Sequence, residues 1–445
     1  MEVLIEQWLI YGTVTIFCAI TIYVYLKKHR KNSAKVVAKI IKAKEEGLYE
    51  PMSLHPYIDS TQCIGCGSCV TACPEKDILG LVDNKAEVIN ASNCVGHGAC
   101  FHACPVEAIS LRIGTESRGV ELPHVNENFE TNVKGIFLAG ELGGMGLIKN
   151  SIEQGEQAVE NIGKRKFPEM VNVLDLAIVG AGPAGISGSL TAKKLGLSSV
   201  TLEQNSLGGT VFTFPRAKIV MTSPVNLPLF GKVKLFNTNK SELLDLWHKV
   251  IAENSLDIQE HTKVESIIPQ SNGTFKTITS TGKEILSHSV LLAIGRRGSP
   301  RKLAVPGEET QKVAYRLLEP ERISDKKIIV VGGGDSAIES AMLLMDNNEV
   351  ILSYRSDKFS RLKPKNRENI QLAEQEGKLK IRYNSNLLDI SEKTITLQTE
   401  QTPEGEIIEN DLVYIFAGGE LPTPFLQKIG IEITKRFGHI MKKHK

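Results

Sequence analysis

The chain has no cysteine between residues 105 and 445 and no charged residue between residues 8 and 26. Of its eight cysteines, Cys18 lies in the uncharged stretch and the other seven fall between Cys63 and Cys104. Cysteines crowded into one short segment exclude a scattered disulfide framework and favour a metal or cluster site in a reducing compartment. The formal net charge of +2 over 445 residues gives no reason to expect nucleic-acid binding.

The uncharged stretch from Trp8 to Leu26 is long enough to cross a bilayer, since as a helix it would measure about 28 Å. A buried core helix would show a polar face, and a cleaved signal peptide would need a basic start; the first seven residues instead carry Glu2 and Glu6. We predict a single-pass membrane anchor, with the catalytic part in the cytoplasm beside the basic block that follows. This block contains Lys27, Lys28, Arg30, Lys31, Lys35, Lys39, Lys42 and Lys44.

One ligand spacing occurs twice between residues 63 and 105. Each copy has three cysteine or histidine residues separated by two residues, and then a cysteine followed by proline. Glycines between the ligands allow a tight loop that can wrap an iron-sulfur cluster, whereas a zinc ribbon is the alternative for paired cysteines. The first copy is Cys63, Cys66, Cys69 and Cys73, and the second is Cys94, His97, Cys100 and Cys104.

Residues 57–113 resemble the bacterial two-cluster ferredoxins through this spacing. The resemblance implies two 4Fe-4S clusters, with the last cysteine of each copy bound to the cluster of the other copy. His97 stands where a cysteine is expected, which leaves open histidine ligation, a 3Fe-4S cluster or another fourth ligand; we favour ligation by His97. The implied ligand sets are Cys63, Cys66, Cys69 and Cys104 for the first cluster, and Cys73, Cys94 and Cys100 for the second.

A buried strand at residues 175–179 leads into a glycine-rich turn and a helix, and Glu203 ends the next strand. In such a unit the first glycine makes the turn, the second lets backbone amides approach a pyrophosphate, and the acid binds ribose hydroxyls. The context therefore predicts a dinucleotide site. Its residues are Gly180, Gly182, Pro183, Ala184, Gly185 and Glu203.

The same pattern recurs at residues 327–345, where a β-branched strand precedes a second glycine-rich turn and a helix. This repeat predicts a second dinucleotide site. Its residues are Gly332, Gly334, Asp335, Ser336 and Ala337.

Together the two motifs resemble the thioredoxin-reductase-like flavoproteins. The resemblance implies FAD at the first motif, with Gly208, Gly209 and Thr210 beside the flavin, and NADP or NAD at the second. It also puts Arg355, with Arg361 or Lys363 as a substitute for a second arginine, near the 2′-phosphate of NADPH, which we favour over NADH. Relatives of this type relay electrons through a Cys-x2-Cys pair near the flavin, and this sequence has no cysteine there.

Residues 131–141 resemble the segment that normally ends these flavoproteins and contacts the flavin's ribityl chain. Here the segment precedes the first glycine motif, with Gly140 and Glu141 at its end, and Glu141 replaces the usual aspartate. The resemblance thus implies a circularly permuted FAD domain, joined directly to the ferredoxin part so that clusters and flavin lie close.

We therefore expect an α/β protein with two Rossmann-like FAD and NAD(P) domains, preceded by a small α+β two-cluster ferredoxin domain and one transmembrane helix. The expected domains are residues 1–30 (anchor), 31–52 (basic linker), 53–113 (ferredoxin), 114–168 (permuted FAD segment), 169–300 (FAD), 301–412 (NAD(P)) and 413–445 (return to the FAD domain).

The predicted function is electron transfer between NAD(P)H, flavin, two clusters and a one-electron partner, without a catalytic acid or base. The partner is a ferredoxin-like protein, a quinone or a membrane redox protein, and a homodimer is compatible with the sequence. Two alternatives stay open. Residues 214–228 and 354–367 resemble bacillithiol-disulfide-reductase-like flavoproteins, which suggests reduction of a low-molecular-weight disulfide, and the anchor also suits a redox sensor without turnover.

Overall fold

The structure, a computed structural model, describes residues 2–45, 49, 51, 54–75, 77–94, 96–116, 119–144, 146–214, 219–221, 224–235, 238–296, 298, 300–359 and 362–443. The predicted boundary between residues 52 and 53, and Arg361, lie outside the described residues. The chain divides into two compact units, one comprising residues 1–119 and 437–445 and the other residues 120–436.

The described elements alternate between helix and strand along most of the chain. The helices are α1 (Glu2–Glu45), α2 (Ser68–Ala72), α3 (Ala99–His102), α4 (Ile148–Gly163), α5 (Pro183–Lys194), α6 (Lys240–Glu253), α7 (Asp335–Leu344), α8 (Pro364–Gln375) and α9 (Thr423–Lys428). The strands are β1 (His55–Ile58), β2 (Leu79–Val82), β3 (Lys85–Val88), β4 (Ile109–Ile113), β5 (Val120–Pro123), β6 (Ile136–Leu138), β7 (Val173–Val179), β8 (Ser199–Leu202), β9 (Ile219–Met221), β10 (Val225–Leu227), β11 (Gly231–Val233), β12 (Thr238–Asn239), β13 (Ile258–Gln259), β14 (Val264–Pro269), β15 (Phe275–Thr279), β16 (Glu284–Leu292), β17 (Val313–Ala314), β18 (Lys327–Val331), β19 (Glu349–Ser353), β20 (Lys380–Arg382), β21 (Asn386–Ile390), β22 (Thr394–Gln398), β23 (Glu406–Glu409), β24 (Leu412–Ile415), β25 (Ile433–Arg436) and β26 (His439–Lys442).

Helix α1 is one continuous helix that is long and apolar enough in its first half to cross a membrane. The helix does not end at the basic block but continues through most of the segment predicted to be a linker. Its second half packs on the rest of the first unit, where Ser33 and Ala43 are only 7% and 5% exposed.

The two short helices of the ferredoxin part begin in the same way. Helix α2 follows Gly67 and α3 follows Gly98, and both glycines have a φ of 74°. Glycine adopts this left-handed conformation without the steric cost that a side chain would impose. The repeat in the sequence is therefore also a repeat in backbone geometry.

A three-stranded sheet in the first unit joins segments from distant parts of the chain. Strand β4 pairs antiparallel with β1 on one side and with β26 on the other. The sequence analysis grouped residues 413–445 with the FAD domain, whereas β26 belongs to the ferredoxin sheet and β24 to a sheet of the second unit. Strand β26 thus forms the backbone hydrogen bonds on the edge of β4 that β1 leaves open.

Four strands of a seven-stranded sheet in the second unit run parallel and end at one edge. Strand β7 pairs with β8 and β16, and β16 also pairs with β6. The carboxyl ends of parallel strands meet at the same edge of a sheet, which is where α/β proteins bind ligands. The residues that follow these four strands therefore lie together.

Helices α4 and α5 cover this sheet with their backbones in close contact. A Cβ added to Gly155 of α4 would lie 2.1 Å from the carbonyl oxygen of Ala184 in α5. Since only glycine allows this approach, the helix that precedes the first glycine motif is packed tightly on the helix that follows it.

The second glycine motif lies on a separate parallel sheet with the order β17-β24-β18-β19-β20. An antiparallel sheet of β21, β22 and β23 follows in the same unit. The mixed α/β fold predicted from the sequence is thus confirmed.

Candidate functional site

Four cysteines from both copies of the repeated spacing line one pocket beside the β2–β3 hairpin. They are Cys63, Cys66 and Cys69 from the first copy and Cys104 from the second. Burial raises the pKa of the Cys69 thiol, and the three other thiols raise it further. The four residues that the ferredoxin resemblance implied as ligands of the first cluster are therefore neighbours.

Backbone amides donate to two of these sulfurs. The Ala86 N–H lies 3.4 Å from Cys63 Sγ, and the Ala108 N–H lies 3.3 Å from Cys104 Sγ. Lys85 also donates to the Cys63 carbonyl oxygen, at 2.5 Å. Such donors stabilise the thiolate, which is the form of cysteine that binds iron.

Cys73, Cys94 and Cys100 form a second group. Burial raises the pKa of Cys94 to about 11 and that of Cys100 to about 12, and the neighbouring Cys73 adds to both increases. Thiols with these pKa values are protonated at neutral pH, so metal binding must release their protons. Cys73 therefore lies with the second copy, as the exchange between copies requires.

His97 lies in the second loop and is half-buried, which lowers the pKa of its imidazole, while Glu75 raises it. A neutral imidazole is the form that ligates metal. Among the residues that the structure describes, no three His, Cys, Asp or Glu side chains lie close enough to hold a single ion. A cubane instead spreads its ligands over four irons, and these donors fit that arrangement.

The first glycine motif forms a cradle at the carboxyl edge of the seven-stranded sheet. A Cβ on Gly180, which has a φ of 105°, would lie 2.6 Å from the Ala293 carbonyl oxygen, and one on Gly185 would lie 1.8 Å from the Gly180 carbonyl oxygen. A Cβ on Gly182 would meet no atom within 4 Å. The turn is therefore closely packed at Gly180 and Gly185 and open at Gly182, which fits a pyrophosphate bound beside Gly182.

Glu203 is held at the same edge with only 4% of its surface exposed. Its carboxylate accepts hydrogen bonds from the N–H groups of Ala181 at 2.8 Å and Asn205 at 2.9 Å. These contacts place an anionic acceptor where an acid of this fold binds ribose hydroxyls.

A second glycine pair contacts the first turn. The Gly208 N–H donates to the Ala181 carbonyl oxygen at 3.0 Å, and a Cβ on Gly209 would lie 3.3 Å from the Gly182 Cα. Thr210 follows and is partly exposed. The structure therefore brings the residues predicted beside the flavin next to the predicted pyrophosphate turn.

Gly140 and Glu141 follow β6 at this edge. The Gly140 N–H donates to Gln154 Oε1 at 2.8 Å. Arg296 faces the same place: burial lowers the pKa of its guanidinium, while the charges of Glu141 and Glu121 raise it. Sequence reasoning missed Arg296, although it directly follows the Ala-Ile-Gly segment that comes after β16.

The second glycine motif has the same open geometry. A Cβ on Gly332 would lie 2.6 Å from the Phe416 carbonyl oxygen, whereas one on Gly334 would meet nothing within 4 Å. Asp335 begins α7 and accepts hydrogen bonds from the Lys363 N–H at 3.0 Å and from Asn366 at 2.8 Å. The next residue, Ser336, is exposed, and Ala337 lies on the buried side of α7. The turn therefore fits a second dinucleotide.

An aromatic side chain covers the middle of this turn. A Cβ on Gly333 would lie 2.1 Å from the Tyr354 ring, which stacks on Phe359 with ring centroids 5.0 Å apart. The sequence analysis gave Tyr354 no role. Arg355 is exposed two residues after the end of β19, where a contact with a 2′-phosphate is accessible.

Two family models match the chain. Residues 177–443 match the pyridine nucleotide-disulphide oxidoreductases, and residues 55–105 match the 4Fe-4S dicluster domain. The first match covers more than half of the chain.

Curated relatives include reductases of two kinds. The bacilliredoxin reductase Bdr of Bacillus subtilis is 25% identical over 268 residues, which cover 59% of this chain and 82% of the relative. Ferredoxin–NADP reductase 1 of Bacillus mycoides is 31% identical over 194 residues, and the ferredoxin–NADP reductase of Ignicoccus hospitalis is 26% identical over 188. The matches cover only 53% and 57% of these two ferredoxin reductases.

Among solved structures, the bacillithiol disulfide reductase Bdr of Bacillus cereus has the same fold, with a TM-score of 0.50 and 21% identity. The match covers 61% of this chain and 85% of that structure. The chain therefore belongs to the pyridine nucleotide-disulphide oxidoreductases, as an FAD-dependent NAD(P)H oxidoreductase that also carries a 4Fe-4S dicluster domain.

Proposed function

We propose that this enzyme transfers electrons between NAD(P)H and a one-electron partner at the membrane, through FAD and two iron-sulfur clusters held by its own chain. The observation that carries this proposal is the distribution of cysteine. Residues 105–445 contain both dinucleotide motifs but no cysteine for a dithiol relay, while seven of the eight cysteines belong to the two ligand groups. The clusters are therefore the route that replaces a dithiol.

The chain contributes binding and orientation rather than acid–base chemistry. FAD held by these residues would supply the chemistry that links two-electron exchange with nicotinamide to single-electron exchange with iron-sulfur centres. The open turns at Gly182 and Gly334 hold the two pyrophosphates, Glu203 holds a ribose, and Arg355 selects the 2′-phosphate of NADPH. Gly140 and Glu141 shape the flavin side of the site.

The FAD domain is circularly permuted in this proposal. Two observations support the rearrangement. Strand β6 pairs parallel with β16, with Ile136 opposite Val290, and α4 packs against the backbone of α5. A strand and helix that precede the first glycine motif thus complete the sheet that carries it.

The enzyme is anchored by α1 as a single-pass helix, with the catalytic part in the cytoplasm. The uncharged stretch Trp8 to Leu26 and the basic residues after it support this orientation. The partner is a ferredoxin-like protein, a quinone or a membrane redox protein.

Reduction of a low-molecular-weight disulfide is a second candidate, favoured by the likeness to Bdr of Bacillus subtilis. In that case the clusters would deliver electrons to the flavin. NADPH would still reduce the flavin directly in that case. Reduction of a disulfide by NADPH would therefore continue when the clusters are removed. A redox sensor would show neither steady turnover with NADPH nor dye reduction.

The test is anaerobic reduction of the purified protein by NADPH and NADH, followed by optical and EPR spectra and an assay with a one-electron dye. We expect Cys63→Ala and Cys69→Ala to abolish dye reduction while flavin reduction persists. Cys18→Ala is the matched control, because Cys18 is exposed in the uncharged stretch of α1 and belongs to neither ligand group. Protein that contains flavin but binds zinc, or dye reduction unaffected by Cys63→Ala, would contradict the proposal.

A further inference from the structure

Helix α1 is attached to the cluster-binding part of the first unit by polar contacts that start at a partly buried pair. Ser33, which is 7% exposed, donates to Asp83 Oδ1 at 3.2 Å and accepts the Asp83 N–H at 3.3 Å. Asp83 lies in the turn between β2 and β3. The β2–β3 turn is therefore held against Ser33, a residue of α1 that lies shortly after the apolar stretch.

The contacts continue along α1 in an order that gives the hairpin a direction. A Cβ on Gly80 would lie 2.7 Å from Val36 Cγ1, and Lys39 forms an ion pair with Asp77 at 2.5 Å. As α1 leads away from the apolar stretch, its residues contact positions 83, 80 and 77 in turn. The segment from residue 77 to residue 83 therefore runs antiparallel to α1. Residue 83 is at the end near the apolar stretch, and residue 77 is at the far end.

The first ligand group lies at the near end. A Cβ on Gly65 would lie 2.1 Å from the Asn84 carbonyl oxygen, and the Ala86 N–H donates to Cys63 Sγ at 3.4 Å. The loop that carries Cys63 and Cys66 therefore rests on the turn that is fixed to Ser33.

The second ligand group begins at the far end. Cys73 precedes Asp77, the partner of Lys39, by only four residues, and the Ile89 N–H, five residues before Cys94, donates to the Ile78 carbonyl oxygen at 2.9 Å at this same end. The two cluster sites therefore follow one another along the direction of α1.

The distance from the apolar stretch is short. Ser33 follows Leu26 by seven residues, which is about 10 Å of helix, and the headgroup layer of a bilayer is about 5–8 Å thick on each side. Cys66 is exposed, and Ile64 beside it is 61% exposed. A helix that crosses the membrane up to Leu26 would hold this loop next to the outer edge of the headgroup layer.

We propose that the first cluster faces the bilayer and is the one that exchanges electrons with a carrier in the membrane. The inference rests on the proposed function, because α1 must be the anchor. In each exchange in the outward direction, the first cluster loses one electron and a membrane-resident one-electron carrier gains it. The second cluster, farther from the bilayer, restores that electron.

The test uses the full-length protein in liposomes that contain lipids with gadolinium-chelating headgroups. After anaerobic reduction, EPR measures how strongly gadolinium shortens the spin relaxation of each cluster, an effect that falls steeply with distance. Cys73→Ala removes a ligand of the second cluster and Cys66→Ala a ligand of the first, so each variant assigns one signal. We expect strong shortening for the first cluster and little for the second.

If one variant fails to assemble, the other variant still assigns its signal, and the remaining relaxation component of the unmodified protein then belongs to the other cluster. Gadolinium should then affect one component only. Equal shortening of both clusters, stronger shortening of the second, or no effect on either would overturn the inference.

An insertion provides an independent check. Seven helix-forming residues placed between Arg30 and Lys31 add two turns, which keep the same face of α1 while raising the unit by about 10 Å. We expect this insertion to remove most of the gadolinium effect on the first cluster. The same heptapeptide in the exposed turn at Asn272 is the control and should leave the effect intact.

Flotation of the liposomes after an alkaline wash separates the two proposals. Protein that does not float with the lipid contradicts the anchor and with it this inference. Protein that floats but shows no selective effect on the first cluster contradicts the inference alone. Unchanged relaxation after the insertion at Arg30 would have the same meaning.

Discussion

Replacing Gly155 by alanine should destabilise the FAD-binding part of the enzyme, because α4 has no room for a side chain at this position. The new Cβ would lie 2.1 Å from the Ala184 carbonyl oxygen, so α4 and α5 would have to separate by about 1 Å to reach a normal contact. Overpacking of this kind costs about 1–3 kcal/mol, and removing a helical glycine offsets about 0.5–1 kcal/mol. We expect the free energy of unfolding to fall by about 1–2 kcal/mol.

The effect should extend to the cofactor, since Ala184 belongs to the turn that is predicted to hold the pyrophosphate. Denaturant unfolding and the FAD content of the purified protein measure the two consequences. Gly163→Ala, in the same helix, is the control: its Cβ would meet only the tip of Leu195, which is 44% exposed and free to move. If Gly155→Ala retained full stability and full FAD content, then α4 would not pack on the flavin fold and the proposed permutation would lose its support.

Three further substitutions test single roles. His97→Cys should give the second cluster four thiolate ligands and lower its reduction potential in an EPR-monitored titration; an unchanged potential would exclude His97 as a ligand. Arg355→Ala should raise the KM for NADPH by about 10–100-fold, because a charge-assisted bond contributes about 1.5–3 kcal/mol, and an equal rise for NADH would contradict the role of this residue. Glu203→Gln should weaken FAD binding and lower the free energy of unfolding by about 1–3 kcal/mol, because an amide has one acceptor for the N–H groups of Ala181 and Asn205; unchanged FAD retention would argue against a ribose contact.

The local patterns of the sequence predicted the parts of the site that depend on nearby residues. The turn at Gly180 and the glycines before α2 and α3 need a particular backbone conformation, so the residue type itself carries the information. The cysteine spacing is informative for the same reason, because each loop that carries it is a short segment with a fixed geometry.

Contacts between distant segments left no such signal. The pairing of β26 with β4 joins residues more than three hundred positions apart, and the hydrogen bond between Ser33 and Asp83 joins residues fifty positions apart. A basic helical segment predicts a solvated linker on composition alone, since its few buried positions are small residues such as Ser33 and Ala43. Arg296 was missed because its relation to Glu141 depends on two parallel strands ending side by side.

The hydroxyl of Ser68 should raise the reduction potential of the first cluster. It lies 3.4 Å from Cys66 Sγ and lowers the pKa of that thiol. A thiolate bound to iron has no proton, so the hydroxyl must donate; its bond strengthens when the cluster gains an electron and the sulfur becomes more negative. Ser68→Ala should therefore lower the potential, whereas Ser68→Thr keeps the hydroxyl and should keep the potential. A redox titration in which Ser68→Ala matched the unmodified protein would show that Cys66 does not ligate this cluster or that the hydroxyl turns away from it.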